Sequence, residues 1–391
     1  VAERKIIIIG AGLGGLTAAL ALQQRGHAVA VYEQAPQLGE IGAGITLAPN
    51  ATRVLDAVGL EAAIAAIGMV PTRQGVRHYR TGEILVKTER KENSKERYGA
   101  AYYQAHRADV HHALAHAAET RGIAVACAKR AVALEQDGSE ASVRFADGSI
   151  ATGDVVVAAD GVKSALRDAL FSPEPPLFSG YLAWRAVLPM ERLPTISLEP
   201  PSDSSIGPGR LFARYPLRDF TLLNVVGIAA VDGWHAEGWS IPSTREEMQA
   251  AFADYHPEAQ AIMAAIRPGE IFKWGIFQHK PLKTWVNGRI TVLGDAAHAM
   301  TPFMGQGAAM AIEDAMVLAR CLTDFADLDD ALIRYERARA ERANFVALES
   351  MEKGRRWLSP NTDRYGKPGG TTHRNEETLG LFEYDAVSVA I

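Results

Sequence analysis

"KIIIIGAGLGGLTAALALQQRGHAVAVYEQ", residues Lys5 to Gln34, decides the fold. Ile6 to Ile9 are a short β-branched apolar run, the pattern of a strand buried on both faces. Leu13, Leu16 and Leu20, with Ala18 and Ala19 between them, carry helical spacing that Gly26 stops. Between strand and helix lie Gly10, Gly12 and Gly15 in a G-x-G-x-x-G pattern. The first permits a tight turn, the second lets backbone approach a pyrophosphate, and the third lets the helix pack on the strand. The helix start at Leu13, Gly14 and Gly15 then faces the phosphates. A second strand, Ala28 to Tyr32, runs into Glu33, whose carboxylate is placed to accept bonds from ribose hydroxyls and favours an unphosphorylated ribose. A glycine turn kept only for packing is the competing reading. Strand, helix, stop and acid in register favour a dinucleotide site, with NAD and FAD both open because they share the ADP half.

The rest of the composition bounds the answer. The chain has 391 residues, enough for two domains with substantial cores, and 48% hydrophobic against 22% charged is an ordinary globular mixture. A net charge of −5, from 41 basic and 46 acidic residues without long single-sign runs, advertises no nucleic-acid or anionic-membrane surface. Small molecules are the expected partners. Cys127 and Cys321 stand far apart with no C-x-x-C or His-rich context, which argues against disulfides and a metal site and fits a reducing, cytoplasmic setting. Ile6 to Ile9 are too few for a signal peptide, and no apolar window reaches membrane-spanning length.

Two further stretches repeat the theme of a strand ending on an acid. "VVVAADGVKSALR", Val155 to Arg167, runs from a buried strand into Asp160-Gly161. "GRITVLGDAAHAMTPFMGQGAAMAIEDAMVLARCL", Gly288 to Leu322, runs through Gly294-Asp295 and Pro302 to a helix opening at Gly305-Gln306-Gly307. An acid at the carboxyl end of a strand suits a polyol hydroxyl, and glycines at a helix start let amides approach a ring carbonyl or anion. An ordinary turn for Asp160 and a helix N-cap for Asp295 are the alternatives.

Taken together, "GAGLGGLTAALALQQRGHAVAVYEQ", "IGAGITLAPNA", "HRADVHHAL", "AADGVKSALR", "SGYLAWRAVLP", "RYPLR" and "GDAAHAMTPFMGQGAAMAIEDA" resemble the class A FAD-dependent aromatic hydroxylases, the salicylate hydroxylase-like flavoprotein monooxygenases, over residues 4 to about 345. The resemblance implies that Glu33 holds the adenosine ribose, Arg107 reaches the flavin side, Asp160 serves both FAD and reduced nicotinamide, and Asp295 binds the ribityl and pyrophosphate region. It places the flavin ring beside Gly44, Ile45 and Thr46 and beside Pro302, Gly305 and Gly307. The activity it implies is hydroxylation of a small electron-rich aromatic or N-heteroaromatic compound, through a flavin hydroperoxide, at the expense of NADH or NADPH and dioxygen. With no second nucleotide motif in the chain, the nicotinamide is expected to bind transiently across the interdomain cleft. Another FAD oxidoreductase (oxidase, dehydrogenase or epoxidase) and a non-catalytic flavin-binding regulator are the alternatives, since fold does not fix chemistry.

The expected architecture is α/β. A Rossmann-type FAD domain is assembled from residues 1–75, 100–170 and 275–325, and a β-sheet substrate domain from 76–99 and 171–274 roofs the flavin. "AVALEQDGSEASVRFADGS" reads as a hairpin about Asp137-Gly138. Residues 326–358 read as a long charged packing helix, 359–391 as a peripheral tail, and the assembly as a monomer or homodimer. Substrate residues are expected on the roof. Arg185 lies opposite Trp184 and Ala186 in strand alternation and can meet a substrate carboxylate, a flavin edge or solvent. Tyr215 and Leu211 share a strand face by period two. Many relatives place a His where this chain has Leu211, so a simple phenol-deprotonating base is in doubt. Arg214 points away from Tyr215 on an undistorted strand, and His298 reads as structural or flavin-adjacent. Tyr215, Arg185 and Pro302 are the candidate catalytic residues.

Overall fold

The computed structural model describes residues 3–39, 42–89, 94–171, 175–193, 195–234, 241–359 and 374–391. Ile6, Ile7 and Ile8 are at most 1% exposed, and each fully buried side chain of this kind is worth roughly 1.5–3 kcal/mol. Their strand, Lys5–Ile9, therefore sits at the centre of a six-stranded sheet among the described residues. Parallel to it run Ala28–Tyr32 on one side and Val155–Ala158 on the other. Ala124–Ala126 and Ile290–Val292 extend the sheet in the same sense, and Val286–Asn287 closes one edge antiparallel. Parallel alignment puts every carboxyl end along one edge. Gly10, Glu33, Asp160 and Asp295, which come from three separated pieces of chain, consequently line a single crevice, where open α/β sheets bind ligands.

Helix Leu13–Gln23 packs beneath this edge against helix Gly307–Asp324. Gly14 makes the close approach possible, because a Cβ there would lie 3.0 Å from Ala311 Cβ on that helix and 2.7 Å from Leu293 Cδ2. The expected hairpin forms from Ala131–Gln136 and Ala141–Phe145, with Asp137 Oδ1 accepting from Ser139 N at its tip.

The second large sheet has eight described strands, in the order Ile241–Pro242, Ile271–Gln278, Leu177–Pro189, Leu222–Ala230, Arg210–Leu217, Ser202–Gly207, Arg73–His78 and Ile84–Glu89. The expected domain boundaries at 75 and 275 fall inside two of its strands. Alternation divides its side chains cleanly. Leu182, Trp184, Phe212 and Val225 pack under helices Arg245–Ala251 and Pro257–Ala264. Ala183 and Leu211, their sequence neighbours, face the other way and cluster with Ile228, Trp274, Ile276 and Phe303.

Helix Leu328–Trp357 begins on an Asp327 cap, whose Oδ1 accepts from Asp330 N at 2.8 Å. Residues 360–373 of the expected tail lie outside the described residues. Its last part corrects the expectation of a peripheral segment: in 374–391, Leu381, Phe382 and Ala386 are buried in the main core. Phe382 meets Tyr98 and Tyr102 edge-on, Arg53 donates to Tyr384 O at 2.6 Å, and the Arg342 guanidinium lies 3.9 Å over the Tyr384 ring. A polar, glycine-rich approach disguises three residues, Leu381, Phe382 and Tyr384, with large apolar surface to bury. No described helix is long and apolar enough to cross a membrane.

Candidate active site

The phosphate end is built by three glycines in two roles. Gly10 has φ +108°, and a Cβ there would meet Ala159 O at 2.3 Å; a Cβ on Gly15 would meet Gly10 O at 2.0 Å. Both are required by packing. A Cβ on Gly12 would meet nothing within 4 Å, so this turn presents its backbone to open space, the cradle a pyrophosphate needs. Glu33 faces the same turn. Its Oε2 accepts from Ala11 N at 2.9 Å and its Oε1 from Ala35 N at 2.8 Å, leaving acceptor capacity on both oxygens for hydroxyl donors. His111 supports the turn from the Arg107–Thr120 helix, with Nε2 2.7 Å from Ala11 O. Sequence reading passed over His111, although it lies in one of the quoted motifs.

The two acids at the neighbouring strand ends differ. Burial pushes the Asp160 carboxyl above its ordinary pKa, while Ser164 Oγ, donating to Oδ1 at 2.5 Å, pulls it down. Asp160 thereby ties the turn to the helix Ala165–Phe171. Asp295 is exposed, and the cap position of its helix, Asp295–His298, is taken by Gly294 at φ +64° without a side-chain bond. The N-cap alternative thus has no hydrogen bond to support it. Two substitutions separate ligand contact from folding here. Glu33→Ala should weaken FAD retention on the order of tenfold or more, a charge-assisted bond being worth about 1.5–3 kcal/mol. Asp295→Ala should lower FAD occupancy with the melting temperature of the FAD-free protein unchanged. Chromophore content per protein, against thermal melts, checks both.

At the ring end, strand Gly44–Leu47 pairs with Tyr103–His106. Ile45 and Thr46 lie on it half-buried, and a Cβ on Gly305 would sit 3.8 Å from Thr46 Cβ, so the two predicted flavin-side segments meet. Gly305 adopts φ +62° after the Pro302–Met304 turn, and Gly307 opens the helix behind it. Pro302 is exposed. It has neither an N–H nor a polar side chain, so it can shape this surface but cannot donate or accept a proton there.

The roof comes down onto Gly44. A Cβ there would lie 2.2 Å from Tyr215 Oη, so Tyr215 closes over this strand only because residue 44 lacks a side chain. Its cross-strand neighbour Asn224, fully buried, accepts from Gly44 N through Oδ1 at 2.8 Å, while its Nδ2 has no partner among the described residues. Asn224 was missed, though a single amide within the apolar run "LLNVVGIAA" was the available signal.

Arg185 stands on the same face. Its guanidinium lies 4.9 Å over the Trp274 ring, and its Nε is buried without a hydrogen bond. No carboxylate pairs with it among the described residues. Burial lowers its pKa, Arg107 adds to that, and Tyr215 opposes it, so Arg107, Arg185 and Tyr215 act on one locale. Arg107 is held there from its backbone, whose N–H donates to Ala43 O at 2.8 Å. Arg214 faces the other way, buried in ion pairs with Asp203 and Glu258. Leu211 shares the Tyr215 face but lies in the apolar cluster with Phe303 and Trp274. His298 is buried with Nε2 2.5 Å from Asp314 Oδ2, a structural contact.

Comparison with known proteins agrees with this assembly. The family model described as an FAD binding domain matches residues 3–350. The chain is 38% identical to 6-hydroxynicotinate 3-monooxygenase of Pseudomonas fluorescens, covering 92% of this chain and 93% of that protein. It is 36% identical to 3-amino-4-hydroxybenzoate 2-monooxygenase PtnB3 of Streptomyces platensis, covering 98% and 97%. The solved structure of Klebsiella pneumoniae HpxO with FAD and uric acid superposes with a TM-score of 0.81 at 27% identity, covering 97% of this chain and 93% of that one. Glycine cradle, strand-end acids and roofed ring site therefore have a common explanation: the chain belongs to the FAD-binding family of flavoprotein monooxygenases that includes the aromatic hydroxylases.

Proposed function

We propose that this protein hydroxylates a small, electron-rich aromatic or N-heteroaromatic compound carrying an acidic group, with NADH or NADPH as reductant. The observation that carries the anionic part of the reading is Arg185, a half-buried guanidinium beside Trp274 and Tyr215 whose Nε is buried without a partner and which has no carboxylate among the described residues. A buried cation that is unpaired in the protein is best satisfied by an anion brought by the ligand. Relatives named for hydroxynicotinate and aminohydroxybenzoate support the same substrate class.

Bound FAD would supply the redox chemistry, in which the hydride of reduced nicotinamide and a proton reduce one atom of dioxygen to water while the other is inserted into an aromatic C–H bond. The residues bind, orient and exclude water. Glu33 and the Gly12 turn would hold the adenosine and pyrophosphate, Asp295 the polyol, and Gly44 to Thr46 with Gly305 the ring edge. Arg185 fixes the substrate anion. Tyr215 is kept protonated, because burial raises its pKa well above the ordinary value. It therefore orients a substrate oxygen as a hydrogen-bond donor and does not serve as a base. Trp274, Phe303 and Leu211 form an apolar cluster beside the ring end that excludes water, which limits wasteful release of hydrogen peroxide.

The test is NADH oxidation with and without hydroxylated aromatic acids and N-heteroaromatics, with isotopically labelled dioxygen. Substrate-stimulated turnover that leaves one labelled oxygen in the product is expected. Oxidation without label in any product would place the protein among oxidases or dehydrogenases. Tyr215→Phe should reduce kcat/KM by less than the about 10²–10⁴-fold typical of losing an acid or base, because the ring's packing on Gly44 survives. A larger loss would make the hydroxyl a proton carrier. Leu211→His should raise turnover of simple phenols relative to the native substrate, by adding an imidazole to the same strand face.

A further inference from the structure

The long helix Leu328–Trp357 grips the ring-side motif from behind along one stripe of residues. Tyr335 Oη donates to Val292 O at 3.0 Å, and Arg339 Nε donates to Asp314 Oδ1 at 2.7 Å. Further along, the fully buried Ser350 donates its hydroxyl to Thr301 O at 2.6 Å and accepts from Thr301 Oγ1 at 3.0 Å and Met304 N at 3.3 Å. A hydroxyl has one donor and two acceptor sites, so Ser350 is fully committed to the two ends of a single turn, the one that carries Pro302 and Phe303.

One helical turn later stands Gly354. It lies inside the helix without a positive φ, so conformation does not call for glycine there, and glycine at such a position costs about 1 kcal/mol relative to alanine. Space accounts for it. A Cβ on Gly354 would lie 2.3 Å from Cε2 and 2.4 Å from Cδ2 of Phe303. The Phe303 ring is thus seated in the notch that the glycine leaves. Its other side meets Tyr181 edge-on, with centroids 5.4 Å apart, and joins the roof cluster of Ala183, Leu211, Ile228 and Trp274.

We propose that Gly354 is a specificity-determining position that sets the depth of the aromatic site: by receiving the Phe303 ring into the helix, it limits how far that ring intrudes beneath the roof. Any side chain at 354 drives Phe303 further against Leu211 and Trp274, into the room a substrate ring would take. The inference rests on the reading that the substrate ring lies between the Pro302 turn and the roof. Gly354 touches neither substrate nor cofactor and acts only through Phe303.

Gly354→Ala holoenzyme is expected to bind bicyclic aromatic acids about 10- to 100-fold more weakly, the cost of overpacking expressed as affinity, with single-ring acids much less affected. Binding is read from perturbation of the bound FAD spectrum, alongside KM and kcat. Adding Phe303→Leu to the Gly354→Ala protein should restore the larger ligands, with FAD content and melting temperature close to those of the parent. Equal weakening for ligands of every size, or no restoration by Phe303→Leu, overturns the proposal. A crystal structure of Gly354→Ala decides the matter even if no aromatic ligand is found. Phe303 displaced toward Trp274 supports it, and a helix displaced with Phe303 unmoved refutes it, whatever becomes of the hydroxylase reading.

Discussion

Arg185→Met should lower kcat/KM for an anionic aromatic substrate by about 30- to 5,000-fold, because losing one partner of a buried charge pair costs about 2–5 kcal/mol and each 1.36 kcal/mol is a decade. Methionine keeps an apolar stem against Trp274, where the guanidinium now stacks at 4.9 Å. The protein itself should not suffer, since no described carboxylate loses a partner and a desolvated charge is removed. Steady-state kinetics on an acid and on its neutral amide separate the roles. The acid should lose most of its advantage, while the amide should change little. Equal losses for acid and amide would show that Arg185 shapes the flavin edge instead of holding an anion.

Arg339→Met should cost about 3–5 kcal/mol of stability, the penalty for leaving buried charge unpaired. Arg339 is fully buried, 2.7 Å from Glu313 Oε2 and 2.7 Å from Asp314 Oδ1, and neither acid is exposed. Glu313 retains Arg342 at 2.8 Å and the Asn50 amide at 2.6 Å, so Asp314 is the more exposed to the loss. Asp314→Asn probes the same network through pH. Burial alone would raise the Asp314 carboxyl, but His298 and Arg339 hold it below its ordinary pKa. A lowered folded-state pKa contributes stability above the unfolded value of about 3.9 that is lost as pH falls through the folded value. Asp314→Asn should therefore melt well below the parent at pH 7, with the gap closing below about pH 4. A gap independent of pH would mean that the amide fails for steric reasons and that the charge contributes nothing.

The residues of this network show why some of the site was legible and some was not. Gly10, Glu33, Asp160 and Asp295 each follow a strand, and a strand is recognised from its own neighbours. Asn50, Gln306 and Glu313 carry no such local mark. Asn50 Nδ2 lies 3.0 Å from Gln306 Oε1 and 2.6 Å from Glu313 Oε1, a bridge between elements more than 250 positions apart in sequence. Asn224 and Gly354 are similar. Each reads as an exception to its own strand or helix, and only the partner from another segment supplies the reason. The buried Leu381 and Phe382 were misjudged because the composition around them is that of a surface tail.

By itself the sequence determined what depends on local order: the parallel sheet with its glycine turn, the acids at its strand ends, the hairpin, the roof strands, and the opposed faces of Arg214 and Tyr215. Backbone periodicity and turn chemistry act over a few residues, so these are written where they act. The tertiary structure alone decided which side chains meet across segments. It brought Tyr215 onto Gly44, left Arg185 without an acid among the described residues, paired His298 with Asp314 and seated Phe303 against Gly354. Those contacts follow from close packing and from the need of each buried polar group for a partner, and packing becomes specific only when distant elements have come together.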